Sequence, residues 1–353
     1  MFIYYIQYFI VFFISFLTSF KRHSEKYIAI IIYALLVILP VLKGAHVDRD
    51  FSVYQYYFQN IIKIDYVGEK IFYYEPINYI LPFIANKINS QYFVHISLGI
   101  MTLIGVYLKL KSFDISNSFF LSVALYLTNF YLLHEWTQLR SGISSGIFLL
   151  SIKHIYNRDP IKYARNMFFA CMFHYSSVLY LPLYFFSGEK INTRIYLIII
   201  IIFSLLSILN IGILDVGIFS FIPKIQAYLE LMDKGVFDEL NIWNNPGFMI
   251  NYIITLFILI NIRNLKNYNK YAILLVKINI ISILLYIFLA PLPAVATRAS
   301  QMLGVVQLCL FPIVIFSFKE KWVPYFVIIS VSLIYFYNHY IRLELLHAYN
   351  TWI

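Results

Sequence analysis

The chain has 353 residues, of which 61% are hydrophobic and only 12% are charged. A soluble domain cannot cover its surface with so little charge, so the composition excludes an ordinary globular protein. The formal net charge of +10 could suggest nucleic acid as a partner, but membrane proteins concentrate lysine and arginine in their cytoplasmic loops. We therefore predict an all-α membrane protein that crosses the bilayer many times and binds no nucleic acid.

A helix needs about 20 apolar residues to cross a bilayer. Ten stretches approach this length, and we predict a span at each, within a single transmembrane domain over residues 1–353. The first stretch lacks a basic leader and a small-residue cleavage site, so we expect it to be retained. The predicted spans are residues 2–20, 27–43, 92–109, 117–134, 140–156, 195–213, 248–262, 271–289, 299–317 and 322–338.

Two further apolar stretches are too short or too broken for ordinary spans. Residues 75–89 begin with Glu75-Pro76, and we predict a re-entrant or interfacial helix there. Residues 163–186 are interrupted by a polar turn around His174 and then by Pro182. For this stretch we predict two short helices that meet at His174.

Six short basic loops determine the predicted orientation. If both broken segments return to the side from which they enter, all six loops share one side, which the positive-inside rule assigns to the cytoplasm. The long connections at residues 44–74 and 214–247 then lie on the extracytoplasmic side, where we expect the functional site. The basic loops contain Lys21 with Arg22, Lys109 with Lys111, residues 153–165, Lys190 with Arg194, residues 263–270, and Lys319 with Lys321.

Arg140 lies between two apolar stretches, at the outer end of a predicted helix. A guanidinium stays charged and costs about 2.5 kcal/mol or more near hydrocarbon, so it usually faces a polar cavity or an anion. This predicts a functional role for Arg140. Two structural explanations stay open, namely that its side chain extends to the interface or pairs with Glu135 one turn earlier.

His174 and Arg298 are two further ionisable residues in apolar surroundings. Non-helical backbone at membrane depth is tolerated mainly where it lines a cavity, which favours a site at His174. Each residue also has a structural alternative, because His174 could be a hydrogen-bonded packing residue and Arg298 a loop charge. Glu75 could simply begin a helix. The other ionisable residues predicted in the outer half are Asp48, Arg49, Asp50 and the pair His134-Glu135.

These segments together resemble the EpsG/Wzy family of bacterial polysaccharide polymerases. Their order and spacing match the family from about residue 4 to 318, although Ser141 follows Arg140 where the family usually has glutamine. The last thirty residues carry no resemblance that we identify. The matching pieces are Asp50-Phe-Ser-Val-Tyr54, Glu75-Pro76, Gln138-Leu-Arg140-Ser-Gly-Ile, Phe173-His174-Tyr-Ser-Ser177, Leu181-Pro182 and Arg298.

The resemblance implies a metal-independent glycosyltransferase of the GT-C type, without a cofactor, in the bacterial cytoplasmic (inner) membrane. Such a polymerase takes a glycan from undecaprenyl diphosphate and joins it to another lipid-linked repeat unit at the outer face. Its partners would be the undecaprenyl-diphosphate-linked oligosaccharide and membrane lipid, and a separate chain-length regulator stays open. The active site would lie among the membrane helices.

The residues can be matched to this chemistry. Arg140 and Arg298 suit the leaving diphosphate, because guanidiniums bind phosphate oxygens bidentately and stabilise developing charge. The attacking hydroxyl needs a base, for which His174, Glu75 and Asp50 are candidates that the sequence does not rank. The other residues that we predict to bind substrate are Arg49, Tyr54, Glu135, Gln138 and Tyr175.

Two alternative functions share these features. An O-antigen ligase would use the same lipid diphosphate donor and outer-face arginines. A lipid-linked oligosaccharide flippase or other transporter would use broken helices and charges near the midplane, but it commonly has internal repeats, and we identify none in this sequence.

Overall fold

The computed structural model describes residues 2–17, 25–62, 75–209, 226, 241–320, 322–343 and 345–353. Within these ranges the chain is helical and contains no strand, and its only β-type pairings are two isolated bridges. The prediction of an all-α protein is therefore confirmed. Of the predicted long loop at residues 214–247, only Gln226 and residues 241–247 are described.

Fourteen α-helices have bounds within the described ranges. Short 3-10 and π-helical segments connect or extend several of them. The α-helices are α1 (Phe2–Phe16), α2 (Glu25–Leu42), α3 (Phe51–Ile62), α4 (Pro76–Ile88), α5 (Phe93–Ser112), α6 (Phe119–Leu125), α7 (Leu139–Tyr156), α8 (Pro160–Phe173), α9 (Thr193–Ile208), α10 (Pro246–Leu265), α11 (Ala272–Phe288), α12 (Pro293–Gly304), α13 (Gln307–Leu310) and α14 (Trp322–Phe336).

Three helical stretches of the described chain are long and apolar enough to cross a membrane. They are Phe93–Ile115, Pro246–Leu265 and Pro293–Phe316, with 23, 20 and 24 residues. Five other apolar helices have between 10 and 17 residues. The fold is therefore that of a helical membrane protein. Among the described residues, the three stretches that meet the criteria of length and apolar composition are fewer than the ten predicted spans.

Two predicted segments have different bounds in the structure. Within the predicted loop at residues 44–74, the amphipathic run Phe51–Ile62 forms α3 and buries Phe51, Tyr54, Phe58 and Ile61. The span predicted at 299–317 begins earlier, because Pro293 occupies the first turn of α12, where its missing N–H costs nothing. Arg298 therefore lies within a helix and not before one.

The chain between α6 and α7 is wound more widely than an α-helix. Residues Tyr126–Phe130 and Leu132–Thr137 are π-helical, so consecutive side chains turn by less than in an α-helix. The π-helical turns end at Gln138, and α7 starts with the next residue. Such turns are frequent at functional sites. Here they determine which side chains of the residues just before Arg140 face the protein interior.

Helix α7 packs closely against α5 through small residues. A Cβ atom at Gly146 would lie 2.8 Å from the Cβ of Leu108. Small residues at membrane-helix interfaces let backbones approach in this way. Thr102 in the middle of α5 also donates a hydrogen bond to the carbonyl of Glu135 (3.2 Å), just before α7. The first turn of α7, with Arg140, therefore lies beside the middle of α5.

A buried ion pair fixes the same interface. Lys109 was predicted in a cytoplasmic loop, but it belongs to α5 and is fully buried. Its Nζ lies 3.5 Å from Oε1 of Glu135 and 2.8 Å from the carbonyl oxygen of Gly142. Tyr126 donates a second hydrogen bond to the same Glu135 oxygen (2.9 Å). The helix carries Lys109 inward because a long stem can reach a buried carboxylate, a contact that loop-charge counting cannot detect.

The C-terminal segment is integrated into the fold. Isolated bridges join Lys43 to Thr351 and Asp48 to Leu346. Lys43 forms an ion pair with Asp48 at 2.7 Å, with both side chains almost fully buried, and also donates to the carbonyl of Trp136 (2.7 Å). The C-terminal segment and the chain that leads into α3 therefore lie at the same end of the helix bundle.

The broken segment forms a compact antiparallel pair. Helix α8 ends at Phe173, and a 3-10 helix runs over Tyr175–Phe185, so the two meet at His174. The hydroxyl of Tyr163 in α8 donates to the carbonyl of Tyr180 in the 3-10 helix (2.6 Å). The chain therefore reverses direction at His174, which places this residue at the tip of the pair.

We predict that Gly146→Ala lowers stability by about 1–3 kcal/mol, because the added methyl group must push α7 away from Leu108. Thermal unfolding of purified protein in detergent would measure this loss. Gly99→Ala is the matched control on α5, because its Cβ would meet Val41 at an ordinary 3.4 Å. Equal stability of the two variants would contradict the close α5–α7 packing.

Candidate active site

Glu75 organises a cluster of polar side chains at the start of α4. It precedes Pro76, which begins the helix, and its side chain does not cap the helix. The carboxylate instead lies where α4, α7 and the α8 turn meet, a region that we call the crevice, and only 10% of its side chain is exposed. Glu75 therefore stands directly before a helix, and its carboxylate is also a largely buried anion.

The Glu75 carboxylate bridges two of the residues predicted from the sequence. Its Oε2 lies 2.9 Å from Nη1 of Arg140, and its Oε1 lies 3.3 Å from Nδ1 of His174. These three residues are separated by 65 and 99 positions in the chain, measured from Glu75. The cluster therefore exists only because α4, α7 and the α8 turn pack together.

Two tyrosines of α3 hold the guanidinium of Arg140. Its Cζ lies 5.8 Å from the ring centre of Tyr54 and 5.3 Å from that of Tyr57, within the range of cation–π attraction. Tyr57 also donates a hydrogen bond to Oε2 of Glu75 (3.2 Å). Arg140 keeps 31% of its side chain exposed, so the fixed guanidinium still presents surface to a ligand.

The surroundings of Glu75 favour its ionised form. Burial raises the pKa of this carboxyl, but the hydrogen bond with His174 and the charge of Arg140 outweigh burial and hold the pKa at about 2. Glu75 is therefore a carboxylate at neutral pH and accepts a proton only weakly. An anion of this kind orients an imidazole better than it removes a proton from a hydroxyl.

Asp50 connects the second arginine to this region. It precedes α3, and burial and the neighbouring Asp48 carboxylate raise its pKa. The charges of Arg298, Lys43 and Arg140 act in the opposite direction, so both predicted guanidiniums lie within electrostatic range of one carboxyl. Arg298 is exposed on α12. Asp50 is thus linked electrostatically both to Arg298 and to the cluster around Arg140.

The backbone around His174 is extended, which points the side chain away from α8. Its φ and ψ are −154° and 113°, and its N–H caps the helix by donating to the carbonyl of Ala170. Asn78 of α4 is fully buried and donates from Nδ2 to the carbonyl of Phe173 (2.9 Å). This hydrogen bond ties the α8 turn to the helix that Glu75 precedes, and so it fixes the distance between His174 and Glu75.

Three other predicted residues have different environments. Gln138 is half-buried in the turn before α7, and Tyr175 is exposed beside His174 and within electrostatic range of Glu75. Arg49 is exposed and donates a hydrogen bond from Nη2 to the carbonyl oxygen of Leu343. The guanidinium of Arg49 therefore binds the C-terminal segment in this structure.

Glu135 does not belong to this site. It is fully buried and faces Lys109 and Tyr126, so it has no surface for a sugar. The alternative that Glu135 pairs with Arg140 is also wrong, because Arg140 pairs with Glu75. The π-helical turns before Gln138 rotate Glu135 toward α5, and a pattern of i and i+4 neighbours cannot anticipate this rotation.

The sequence prediction did not include two residues of the site, Tyr57 and Asn78. Tyr57 and Asn78 both contact predicted site residues, but neither carries a charge that would distinguish it among the many tyrosines and asparagines of the chain. Their positions give a usable signal, because Tyr57 lies one turn after Tyr54 and Asn78 one turn after Glu75 on their helices.

The described residues hold no group of three or more histidine, cysteine, aspartate or glutamate side chains that could bind a metal ion. Cys171 and Cys309 are free. The polar groups of the crevice are a carboxylate, guanidiniums, an imidazole and phenols. Such a set suits the binding of a phosphate-containing ligand and the transfer of a proton.

Comparison with known proteins agrees with the resemblance found in the sequence. No curated protein and no solved structure matches this chain. The EpsG family model matches residues 26–351, which covers nearly the whole chain and extends beyond residue 318, where the sequence resemblance ended. The C-terminal segment that packs on Lys43 and Asp48 is thus part of the family pattern. The chain belongs to the EpsG family.

Proposed function

We propose that this protein is a polysaccharide polymerase that transfers a glycan from undecaprenyl diphosphate onto another lipid-linked repeat unit. The observation that carries the proposal is the bridge of Glu75 between Arg140 and His174 at hydrogen-bond distances. It combines a group that binds diphosphate with a group that accepts a proton. Membership of the EpsG family supports the same class of reaction.

The proposed reaction makes one bond and breaks one. The acceptor hydroxyl oxygen attacks the anomeric carbon of the donor sugar, and the bond from that carbon to the diphosphate oxygen breaks. Undecaprenyl diphosphate leaves with the bonding electrons. Arg140 and Arg298 bind the diphosphate oxygens and stabilise the charge that develops there. The proton of the acceptor hydroxyl moves to His174.

His174 is the best-placed base among the three candidates. In the proposed mechanism the ionised Glu75 accepts a hydrogen bond from Nδ1 of His174, which leaves the Nε2 lone pair for the hydroxyl proton. The weak basicity of Glu75 argues against it as the base. Asp50 lies within electrostatic range of both arginines, where its carboxylate can instead accept hydrogen bonds from sugar hydroxyls.

The charges of the cluster also favour His174 as the base. Arg140 and Arg298 carry two positive charges, and Glu75 and Asp50 carry two negative charges when ionised, so the four groups are neutral together. When His174 takes the hydroxyl proton, the cluster becomes positive at the moment when the diphosphate leaves. Glu75 stabilises the resulting imidazolium, and the guanidiniums face the leaving group.

The proposal includes a location and a topology. The reaction would take place at the extracytoplasmic face of the bacterial cytoplasmic membrane, in a GT-C-like arrangement with ten spans. In it, residues 75–89 and the pair formed by α8 and the 3-10 helix enter the membrane and return. The common position of the α3 entry and the C-terminal segment at one end of the bundle supports this layout. The loop at residues 44–74 is predicted outside, and the span predicted at residues 322–338 leads from a cytoplasmic loop to the same side.

The decisive test uses purified protein with synthetic undecaprenyl diphosphate repeat units in the presence of EDTA. A ladder of products that grow by whole repeat units would establish a polymerase that needs no divalent metal. Repeat units that move across vesicle membranes without elongation would instead identify a flippase, and transfer of a single unit onto a lipid A core would identify a ligase.

We predict that Arg140→Lys reduces polymerisation about 100- to 1,000-fold, because an ammonium group cannot reproduce the planar fork that pairs with Glu75 and binds diphosphate. Gel analysis of polysaccharide from cells that make normal amounts of the variant would measure the effect. Arg263→Lys is the matched control, since Arg263 is exposed at the end of α10. Long polysaccharide from the Arg140→Lys strain would refute the role of Arg140.

We predict that His174→Ala reduces chain elongation about 100- to 10,000-fold while single lipid-linked repeat units accumulate. The phenotype also separates a polymerase from a ligase, because a ligase variant would lose all attached glycan. His154→Ala is the control, since His154 lies in the last turn of α7 and outside the cluster. Wild-type chain length in the His174→Ala strain would leave His174 with a packing role only.

A further inference from the structure

A polar cavity lies beside the helix that carries Arg298. It has a volume of about 410 Å³, which falls in the usual range of roughly 300–1,000 Å³ for small-molecule sites. Residues near the start of α10, along α12 and in the π-helical turn Tyr337–Arg342 after α14 form most of its wall. The predicted topology puts this wall at the outer end of the bundle, as it does for Arg140.

Amide side chains dominate the wall of this cavity. Eight of the lining residues are asparagine or glutamine, and none of the described lining residues is an aspartate or glutamate. The described part of the wall thus offers no carboxylate for a cation, and Arg342, the one arginine or lysine among the described lining residues, is too little for a diphosphate. The wall is therefore suited to a neutral, polar ligand.

Sugar hydroxyls match this wall better than other neutral groups. A hydroxyl both donates and accepts hydrogen bonds, and an amide side chain offers both an acceptor and donors. The rings of Phe130, Phe248 and Tyr286 add apolar surface on which the C–H face of a sugar ring can pack. Amides and aromatic rings together provide both kinds of contact that a glycan needs.

Some of these amides have hydrogen-bonding capacity left. The Oε1 atom of Gln301 is buried and has no hydrogen-bond partner within the described part of the chain. Gln307 accepts from Asn129 at 3.4 Å, which is a long hydrogen bond. A buried acceptor without a partner costs free energy, and a bound hydroxyl would remove that cost. Asn245, by contrast, is already used, because it caps α10 and donates to Tyr286.

The cavity and the arginine share one helix. Thr297, Ser300 and Gln301 line the cavity, and Arg298 lies between them in the chain on α12. Since a helix rises 1.5 Å per residue, Arg298 lies within about 5 Å of each of them along the helix axis. A ligand in this cavity would therefore lie next to a diphosphate bound at Arg298.

We propose that this amide-lined cavity binds the sugars of the lipid-linked glycan, with the diphosphate at Arg298 on the adjacent face of α12. This inference rests on the proposed polymerase function and adds to it a binding site for the uncharged, hydroxyl-rich part of the substrate. The amides determine how the glycan is held, and the arginines hold its diphosphate.

The test measures binding of a glycan without its lipid and diphosphate. Repeat-unit oligosaccharide, released by mild acid from lipid-linked units of the host strain, is titrated into the purified protein in detergent by calorimetry. We expect Gln301→Leu and Asn338→Ala each to weaken binding roughly three- to tenfold, because each removes one or two hydrogen bonds. Asn261→Leu, an amide of α10 that bonds within its own helix and lies outside the cavity, should bind as the wild type does.

Several outcomes would overturn the inference. They are absence of binding to the wild type, unchanged binding by both cavity variants of normal thermal stability, and displacement of the oligosaccharide by inorganic diphosphate. The product ladder tests the proposed function separately. A wild type that makes the ladder while both variants bind normally contradicts only the cavity. A wild type that makes no ladder, but binds oligosaccharide through Gln301 and Asn338, contradicts only the polymerase.

Discussion

A guanidinium enclosed by apolar helices needs a fixed anion, and the arrangement around Arg140 follows from this requirement. Glu75 provides the anion from a position 65 residues earlier in the chain. To reach Arg140, the carboxylate must leave the start of α4 uncapped and enter the crevice. The same carboxylate then holds His174, so one charge pairing determines where α4, α7 and the α8 turn meet. A single buried charge thus organises three separate segments.

Two other buried ion pairs stabilise the frame that supports this cluster. Lys109 and Glu135 join α5 to the π-helical turns before α7, and the same lysine binds the carbonyl of Gly142 in the first turn of α7. Lys43 and Asp48 shape the turn before α3, against which the C-terminal segment packs. Because breaking a buried pair leaves an uncompensated charge, each pair strongly disfavours displacement of the segments that it joins.

The proposed substrate has two chemical parts, a diphosphate and sugars, and we relate each part to a separate region of the protein. In our proposal the diphosphate binds at Arg140 and Arg298, which both lie within electrostatic range of Asp50. The sugars bind in the cavity beside α12, whose amides offer neutral hydrogen bonds. Helix α12 carries Arg298 and also lines the cavity, so in our proposal it relates the positions of the two parts of one molecule. The tyrosines of α3 and the α8 turn complete the crevice around the guanidinium of Arg140.

The sequence by itself determined the class of protein, the family and the most prominent ionisable groups. Composition requires a helical membrane protein, and the unusual cost of Arg140, His174 and Arg298 in apolar stretches identifies them as candidates. Tertiary structure alone decided the partners. Arg140 pairs with Glu75 and not with Glu135, and Lys109 of α5 is buried against Glu135. Local periodicity does not encode these contacts, because they depend on π-helical turns that change the direction of side chains and on glycines that let neighbouring segments approach closely. Contacts between residues far apart in the chain depend on how helices pack, and packing is a property of the whole fold.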